Sequence, residues 1–188
     1  MIEIELKFKI EENQINSILE NLQRIGFSFG RSRFYEKTVM FDNKNKIMQK
    51  TDGRIRLRSS GDLIELGYKK PLTREGIKKE IEYEVSVSDF ELTEKILKEM
   101  GFYPTTSYER YRTLLIDNNK TKVTIDEYPF AVFIEIEGEE NKIIEIASKL
   151  DLNLKKNLTA ACDTLFQQWR KERGLPFKPH MRFEDYDK

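Results

Sequence analysis

Rows of like charge on alternating strands constrain this chain more than any other feature. Residues 2–8 read Ile, Glu, Ile, Glu, Leu, Lys, Phe, so Glu3, Glu5 and Lys7 share one strand face and the apolar residues share the other. The same period of two puts Arg54, Arg56 and Arg58 on one face of a later strand, and Glu80, Glu82 and Glu84 on one face of another. Arg110 pairs in this way with Arg112, Asp126 with Thr124, and Glu135 with Glu137. A sheet with one wet face accounts for any single strand of this kind. It accounts less well for the succession, because the rows run mostly one sign at a time, basic then acidic, whereas a solubility surface intersperses signs.

Between these strands lie amphipathic helices that could cover apolar sheet faces. The spacing predicts helices over residues 11–26, 89–100, 141–150 and 158–173, the first closed by Gly26 and the second by Gly101. Strands are expected at 33–42, in a hairpin of 54–58 and 63–70 ended by Pro71, and at 77–87, 108–116, 122–128 and 130–138. Residues 42–45 read as a turn, and the stretch from Gly174, with Pro176 and Pro179, reads as irregular. Two architectures fit: an open antiparallel sheet with its charges in water, or a closed barrel coated by helices with its charges turned inward. Either way the class is α+β, one domain over residues 1–173 followed by a tail over 174–188.

Composition narrows the chemistry. At 188 residues the chain suits one domain, and 33 Lys plus Arg balance 33 Asp plus Glu. Charged residues make up 35% of it, against about 25% in an average globular protein, yet 12 Phe and 8 Tyr argue for a packed core over a disordered polyelectrolyte. One cysteine and one histidine exclude an internal disulfide and a Cys- or His-rich metal centre, and they argue against a Ser–His or Cys–His nucleophile. No apolar run is long enough to span a membrane and no leader pattern is evident, so a soluble, cytoplasmic protein is expected, with no membrane partner. Zero net charge argues against general nucleic-acid binding. A homodimer is compatible with the sequence.

An interior lined by these rows would need a guest, since unpaired buried charges cost many kcal/mol. Carboxylates suit a hard divalent cation, Mg²⁺ or Mn²⁺. Arginine forks suit phosphate oxygens. A cation together with a run of phosphates points to a triphosphate. No G-x-x-x-x-G-K-[ST] or G-x-G-x-x-G loop is present, so side chains would have to do the binding.

At this point the residues resemble a known family. Glu3-Ile4-Glu5-Leu6-Lys7 resembles the ExExK signature of the CYTH superfamily, the triphosphate tunnel metalloenzymes that include class IV adenylyl cyclases and thiamine triphosphatases. Arg56-Leu57-Arg58, Gly67-Tyr68-Lys69-Lys70-Pro71, Lys78 with Glu80 and Glu82, Arg110-Tyr111-Arg112, and Asp126 followed by Phe133-Ile134-Glu135-Ile136-Glu137 are similar to its later motifs, in the same order. The resemblance implies a closed eight-stranded antiparallel tunnel coated by helices, with Glu3, Glu5, Asp126, Glu135 and Glu137 as metal-side residues. It implies Lys7, Arg56, Arg58, Lys69, Lys78, Arg110 and Arg112 as a phosphate clamp, with Lys156 closing over the substrate. Glu5, Lys7, Arg56 and Glu137 are the catalytic candidates. Departures are Asn157-Leu158 after Lys156, where the family often has Ser-Tyr, and Ala131 where it often has Gly. Glu80 and Glu82 are expected to orient the basic residues, Arg54 to extend the basic row or be solvated, and Trp169, Tyr128 and Cys162 to pack; His180 has no evident partner.

Three functions follow from the resemblance. The first is a metal-dependent hydrolase of inorganic tripolyphosphate, a nucleoside triphosphate or thiamine triphosphate, which needs no protein nucleophile. The second is a class IV adenylyl cyclase making cyclic AMP and pyrophosphate; the His-Phe pair such cyclases carry ahead of ExExK is not seen before Glu3, which favours the hydrolase. The third is a non-catalytic binder of polyphosphate or nucleotide.

Overall fold

The computed structural model describes residues 2–73 and 76–186. In chain order the strands are β1 (Ile2–Ile10), β2 (Ser28–Asn43), β3 (Arg54–Ser60), β4 (Leu63–Thr73), β5 (Lys78–Val87), β6 (Phe102–Ile116), β7 (Lys122–Tyr128), β8 (Ala131–Glu137) and β9 (His180–Met181). The helices are α1 (Ile15–Arg24), α2 (Ile47–Thr51), α3 (Phe90–Glu99), α4 (Glu140–Lys149) and α5 (Cys162–Glu172). The sheet runs β2-β3-β4-β5-β1-β8-β7-β6, and β6 pairs back onto β2, which closes eight antiparallel strands into a barrel; β9 adds a short parallel pairing to β6. The expected tunnel with inward charges is therefore the observed one. No helix among the described residues is long and apolar enough to cross a membrane.

The apolar strand faces point outward and are covered by helices. Leu6, Phe8, Ile125, Ile134 and Ile136 pack under Ile18 and Leu22 of α1 and Ile143 and Ile146 of α4. Phe41 and Leu57 pack under Leu97 of α3. Burying such side chains stabilises by about 1.5–3 kcal/mol each, so the helices fix which strand face is inside. On α3 the packed positions are Phe90, Thr93 and Leu97, one face of the helix, while Ile96 and Met100 are exposed.

Several boundaries differ from those the sequence suggests, each for a local reason. β4 continues through Pro71 to Thr73, with Pro71 opposite Glu80 and a register shift directly after it, an irregularity where a missing N–H is tolerated. β2 and β6 start earlier than expected and pair along almost their whole length. Helix α2 is too short to show periodicity; Asp42 holds its start by accepting from the Met48 and Gln49 amides at 2.9 and 3.1 Å. Helix α5 begins at Cys162 because the preceding segment is committed to β1. The Lys7 amide donates to Asn157 Oδ1 at 2.8 Å, and the Leu158 amide donates to the Lys7 carbonyl at 2.8 Å. The stretch after Gly174 is tied down: Arg170 donates to the Pro176 carbonyl at 2.7 Å and to the Tyr186 hydroxyl at 2.9 Å.

An ion pair braces the seam where the barrel closes. Glu36 on β2, only 3% exposed, accepts from Arg110 Nε of β6 at 2.6 Å, with Arg58 of β3 at 3.4 Å and Arg112 at 3.6 Å. Burial pushes its carboxyl up, but Arg110, Arg112 and Arg58 outweigh burial and hold it at about 2, below an ordinary value of 4.5. A depressed carboxyl contributes stability that is complete above its unfolded value and is lost as pH falls through the folded value. We therefore expect Glu36 to contribute of the order of 3 kcal/mol at neutral pH, lost between about pH 4.5 and pH 2. Chemical denaturation across that range should show a shallower acid loss in Glu36→Gln than in the wild type; equal slopes would contradict this.

Candidate active site

The barrel encloses a cavity of about 330 Å³ lined by ten carboxylate and ten Lys or Arg side chains. Strand parity places Glu3, Glu5, Lys7, Arg56, Arg58, Lys69, Lys78, Arg110, Arg112, Glu135 and Glu137 on its wall, together with Arg54, Glu80 and Glu82. Two expected residues are not on that wall. Lys156 is exposed on a turn outside the barrel, because the chain beyond it is pinned to β1 through Asn157 and Leu158; the parts of this segment that reach the cavity are Ala161, Cys162 and Asp163. Asp126 is fully buried beneath the wall, where Arg112 Nε reaches one oxygen at 2.6 Å and Arg112 Nη2 and Arg110 Nη1 reach the other at 2.6 and 2.9 Å.

One wall gathers acids. In the β1–β5 register Glu3 stands opposite Glu80 and Glu5 opposite Lys78. One oxygen from each of Glu3, Glu5 and Glu80 lies within 4.8 Å of the other two. Glu80 Oε1 accepts from Arg54, while its buried Oε2 lies 2.8 Å from Lys78 Nζ without the alignment of a hydrogen bond. Burial raises the Glu3 carboxyl and Lys69 more than reverses this, so Glu3 is held below the usual carboxylate range. Hard oxygen donors at this spacing, one of them unsatisfied, fit a divalent cation such as Mg²⁺ or Mn²⁺. On β8, opposite β1, Glu135 and Glu137 face Lys7 and Glu5. Lys7 Nζ sits 3.0 Å from Glu135 and 3.4 Å from Glu5. Burial opposes the Lys7 charge, but Glu135 and Glu5 hold it well above the usual lysine range; in turn Lys7 and Arg112 overcome burial and hold Glu135 well below the carboxylate range.

The facing wall gathers guanidinium groups. Arg56 donates to Glu82 at 2.8 Å and to Glu84 at 2.6 Å; Arg58 donates to Glu84 at 2.9 Å and lies 2.9 Å from Glu65. Arg56 reaches β5 across Gly67, the one β4 position between Glu65 and Lys69 that carries no side chain. A Cβ there would lie 3.1 Å from Arg56 Nε and 3.3 Å from Arg56 Cγ. Burial opposes the Arg110 charge, yet Asp126 and Glu36 raise it well above the ordinary value. Two buried guanidinium nitrogens, Arg56 Nε and Arg110 Nη2, have no hydrogen-bond partner among the described residues. Buried donors left open in a cavity are suited to an anionic guest.

The remaining candidates fall out as follows. Tyr128 and Trp169 belong to an aromatic cluster with Phe130, Phe133 and Phe166 that packs α5 against the barrel. Tyr128 does more than pack, since its hydroxyl accepts from Arg110 Nη1 at 2.9 Å. Cys162 lines the cavity, and burial pushes its thiol up, away from the thiolate form that a nucleophile needs. His180 Nδ1 lies 2.9 Å from Ser107 Oγ, where β9 meets β6. Residues the sequence did not single out are Glu36, Glu65 and Arg31. On β2 the inward positions read Phe34, Glu36, Thr38 and Met40, which form no charged row.

Comparisons with known proteins agree with this geometry. A protein of Methanocaldococcus jannaschii named "Putative adenylate cyclase MJ0240" is 27% identical over 151 residues, 77% of this chain and 85% of its own. The solved PH1819 protein of Pyrococcus horikoshii superposes with a TM-score of 0.67 at 25% identity, covering 88% of this chain and 98% of that one. A solved "putative adenylate cyclase" of Vibrio parahaemolyticus shares the fold at 13% identity, with a TM-score of 0.78 over 89% of this chain and 98% of its own. A Hippeastrum protein described as a "putative adenylyl cyclase" with "a dominant triphosphatase activity" also shares it, with a TM-score of 0.56 at 15% identity over 95% of this chain and 90% of its own. The family model described as the CYTH domain matches residues 1–165, and with the barrel and its charged interior this places the chain in the CYTH domain family.

Proposed function

We propose that this chain is a metal-dependent triphosphatase that binds a triphosphate inside the barrel and cleaves a phosphoanhydride bond with water. The observation that carries this reading is the pairing of open guanidinium donors, Arg56 Nε and Arg110 Nη2, with a converging carboxylate group, Glu3, Glu5 and Glu80, in one cavity. Because the lining holds equal numbers of carboxylates and cations, a polyanion entering alone would leave the interior strongly negative. A divalent cation entering with it offsets that excess. The cavity volume, about 330 Å³, lies at the small end of ligand sites and suits a polyphosphate chain more than a whole buried nucleotide.

In this reading Glu3, Glu5 and Glu80 hold Mg²⁺ or Mn²⁺, with Glu135 and Glu137 on the adjoining strand. The cation supplies charge neutralisation on the phosphate oxygens and acidifies water. Arg56, Arg58, Arg110 and Arg112 bind and orient the phosphates, and their fixed positions favour charge that builds during transfer. Lys7, fully charged at neutral pH, serves as a cation and not as a base. Asp126 holds the forks of Arg110 and Arg112 in place and is assigned this anchoring role in preference to metal binding. Inorganic tripolyphosphate, nucleoside triphosphates and thiamine triphosphate remain the substrate class. The second reading, an adenylyl cyclase, is favoured by the names of the relatives and by Phe34, Leu63 and Leu114 on the cavity lining, which could seat a nucleoside.

Product analysis separates the two. With Mg²⁺ or Mn²⁺, metal-dependent orthophosphate release, fastest on tripolyphosphate, is expected; cyclic AMP with pyrophosphate from ATP would overturn the hydrolase in favour of the cyclase. Glu5→Gln should lower metal-dependent turnover about 100-fold or more while thermal unfolding shows an intact barrel. Undiminished turnover would contradict the metal assignment. Asp126→Asn should raise KM for tripolyphosphate about tenfold and leave the metal concentration for half-maximal activity unchanged. A shifted metal requirement would instead make Asp126 a ligand.

A further inference from the structure

Glu84 stands apart from the other interior carboxylates. A single oxygen, Oε2, accepts from Arg56 Nη2 at 2.6 Å and from Arg58 Nη2 at 2.9 Å, so it bridges two arginines of one strand. A phosphate oxygen held between two guanidinium groups would occupy the same kind of seat. Gly67 lets Arg56 reach this seat: a Cβ there would crowd Arg56 Nε at 3.1 Å, while it would only touch the Glu84 oxygen at 3.5 Å, an ordinary contact. Neither arginine depends on Glu84 for its position. Arg56 is also held by Glu82 at 2.8 Å, and Arg58 by Glu65 at 2.9 Å with Glu36 at 3.4 Å. Nor is Glu84 locked. Its side chain is 27% exposed, whereas those of Asp126 and Glu36, which also lie between arginines, are 0% and 4% exposed.

We infer that Glu84 is a resident anion that occupies a phosphate-oxygen seat between Arg56 and Arg58 in the free protein and is displaced by the incoming substrate. This rests on the triphosphatase reading and adds an affinity-setting residue to it. Glu84 keeps the two like charges from facing each other unscreened in the free state. On binding, the guest's oxygen replaces its carboxylate, and Glu84 turns toward solvent. A guest must therefore bring enough negative charge to outcompete an attached carboxylate, which favours polyphosphates over orthophosphate or a monophosphate.

The test is calorimetric titration of the full chain with tripolyphosphate, with and without Mg²⁺. Glu84→Gln should bind about tenfold more tightly than the wild type, lower KM with little change in kcat, and show a larger rise in melting temperature on adding tripolyphosphate. Its melting temperature without ligand should fall, because Arg56 and Arg58 lose a shared counter-ion. If that fall prevents folding, Glu84→Asp, which withdraws the carboxylate by one methylene, should show the same direction. Equal or weaker binding in the variants, with wild-type binding intact, would overturn this inference alone. No tripolyphosphate binding by the wild type would overturn the triphosphatase reading and this inference with it.

Discussion

A barrel with a charged interior can close only if its charges satisfy one another. Moving an ion from water into a protein interior costs several kcal/mol even after relaxation, and two ions recover that cost only with good geometry and further hydrogen bonds. Here the strand order provides the geometry. The basic row of β3 and the acidic row of β5 lie two strands apart, and Gly67 between them on β4 lets Arg56 cross to Glu82 and Glu84. On the opposite side Arg110 and Arg112 of β6 converge on Asp126 of the neighbouring β7 and on Glu36 across the closing seam. The fold and the site are thus one network: the ion pairs that permit closure are made by the groups available to a guest.

That dual use has a consequence for binding. A site whose cations already hold carboxylates binds a weak anion poorly, because each new contact replaces an existing one. A polyphosphate with its cation exchanges two sets of pairs at once, carboxylate with metal and guanidinium with phosphate. The exchange keeps the interior close to neutral. On the proposed reading, selectivity for highly charged guests would follow from this balance without any backbone phosphate cradle, consistent with the absence of a glycine-rich loop in the sequence.

Much of this was legible in the sequence because inward and outward residues of a strand alternate, and alternation survives in one dimension. The rows at Glu3–Lys7, Arg54–Arg58, Glu80–Glu84 and Arg110–Arg112 named most of the wall, and their order along the chain carried the family resemblance that chose the closed barrel over the open sheet. Cross-strand register was not legible. That Glu80 stands opposite Glu3 depends on pairing between residues far apart in the chain, so the carboxylate group of Glu3, Glu5 and Glu80 emerges only in three dimensions. Glu36 escaped notice because its inward neighbours Phe34, Thr38 and Met40 dilute the pattern. That Lys156 stands off the cavity wall was not legible, because its position hangs on Asn157 and Leu158 binding the β1 backbone, a contact that no local pattern announces.

The most direct measurement is anomalous diffraction from crystals grown with Mn²⁺ and tripolyphosphate. A manganese peak is expected inside the barrel against Glu3, Glu5 and Glu80, with phosphate density on Arg56, Arg58, Arg110 and Arg112. Manganese or tripolyphosphate found only on the outer surface, with the interior ion pairs unchanged, would contradict it.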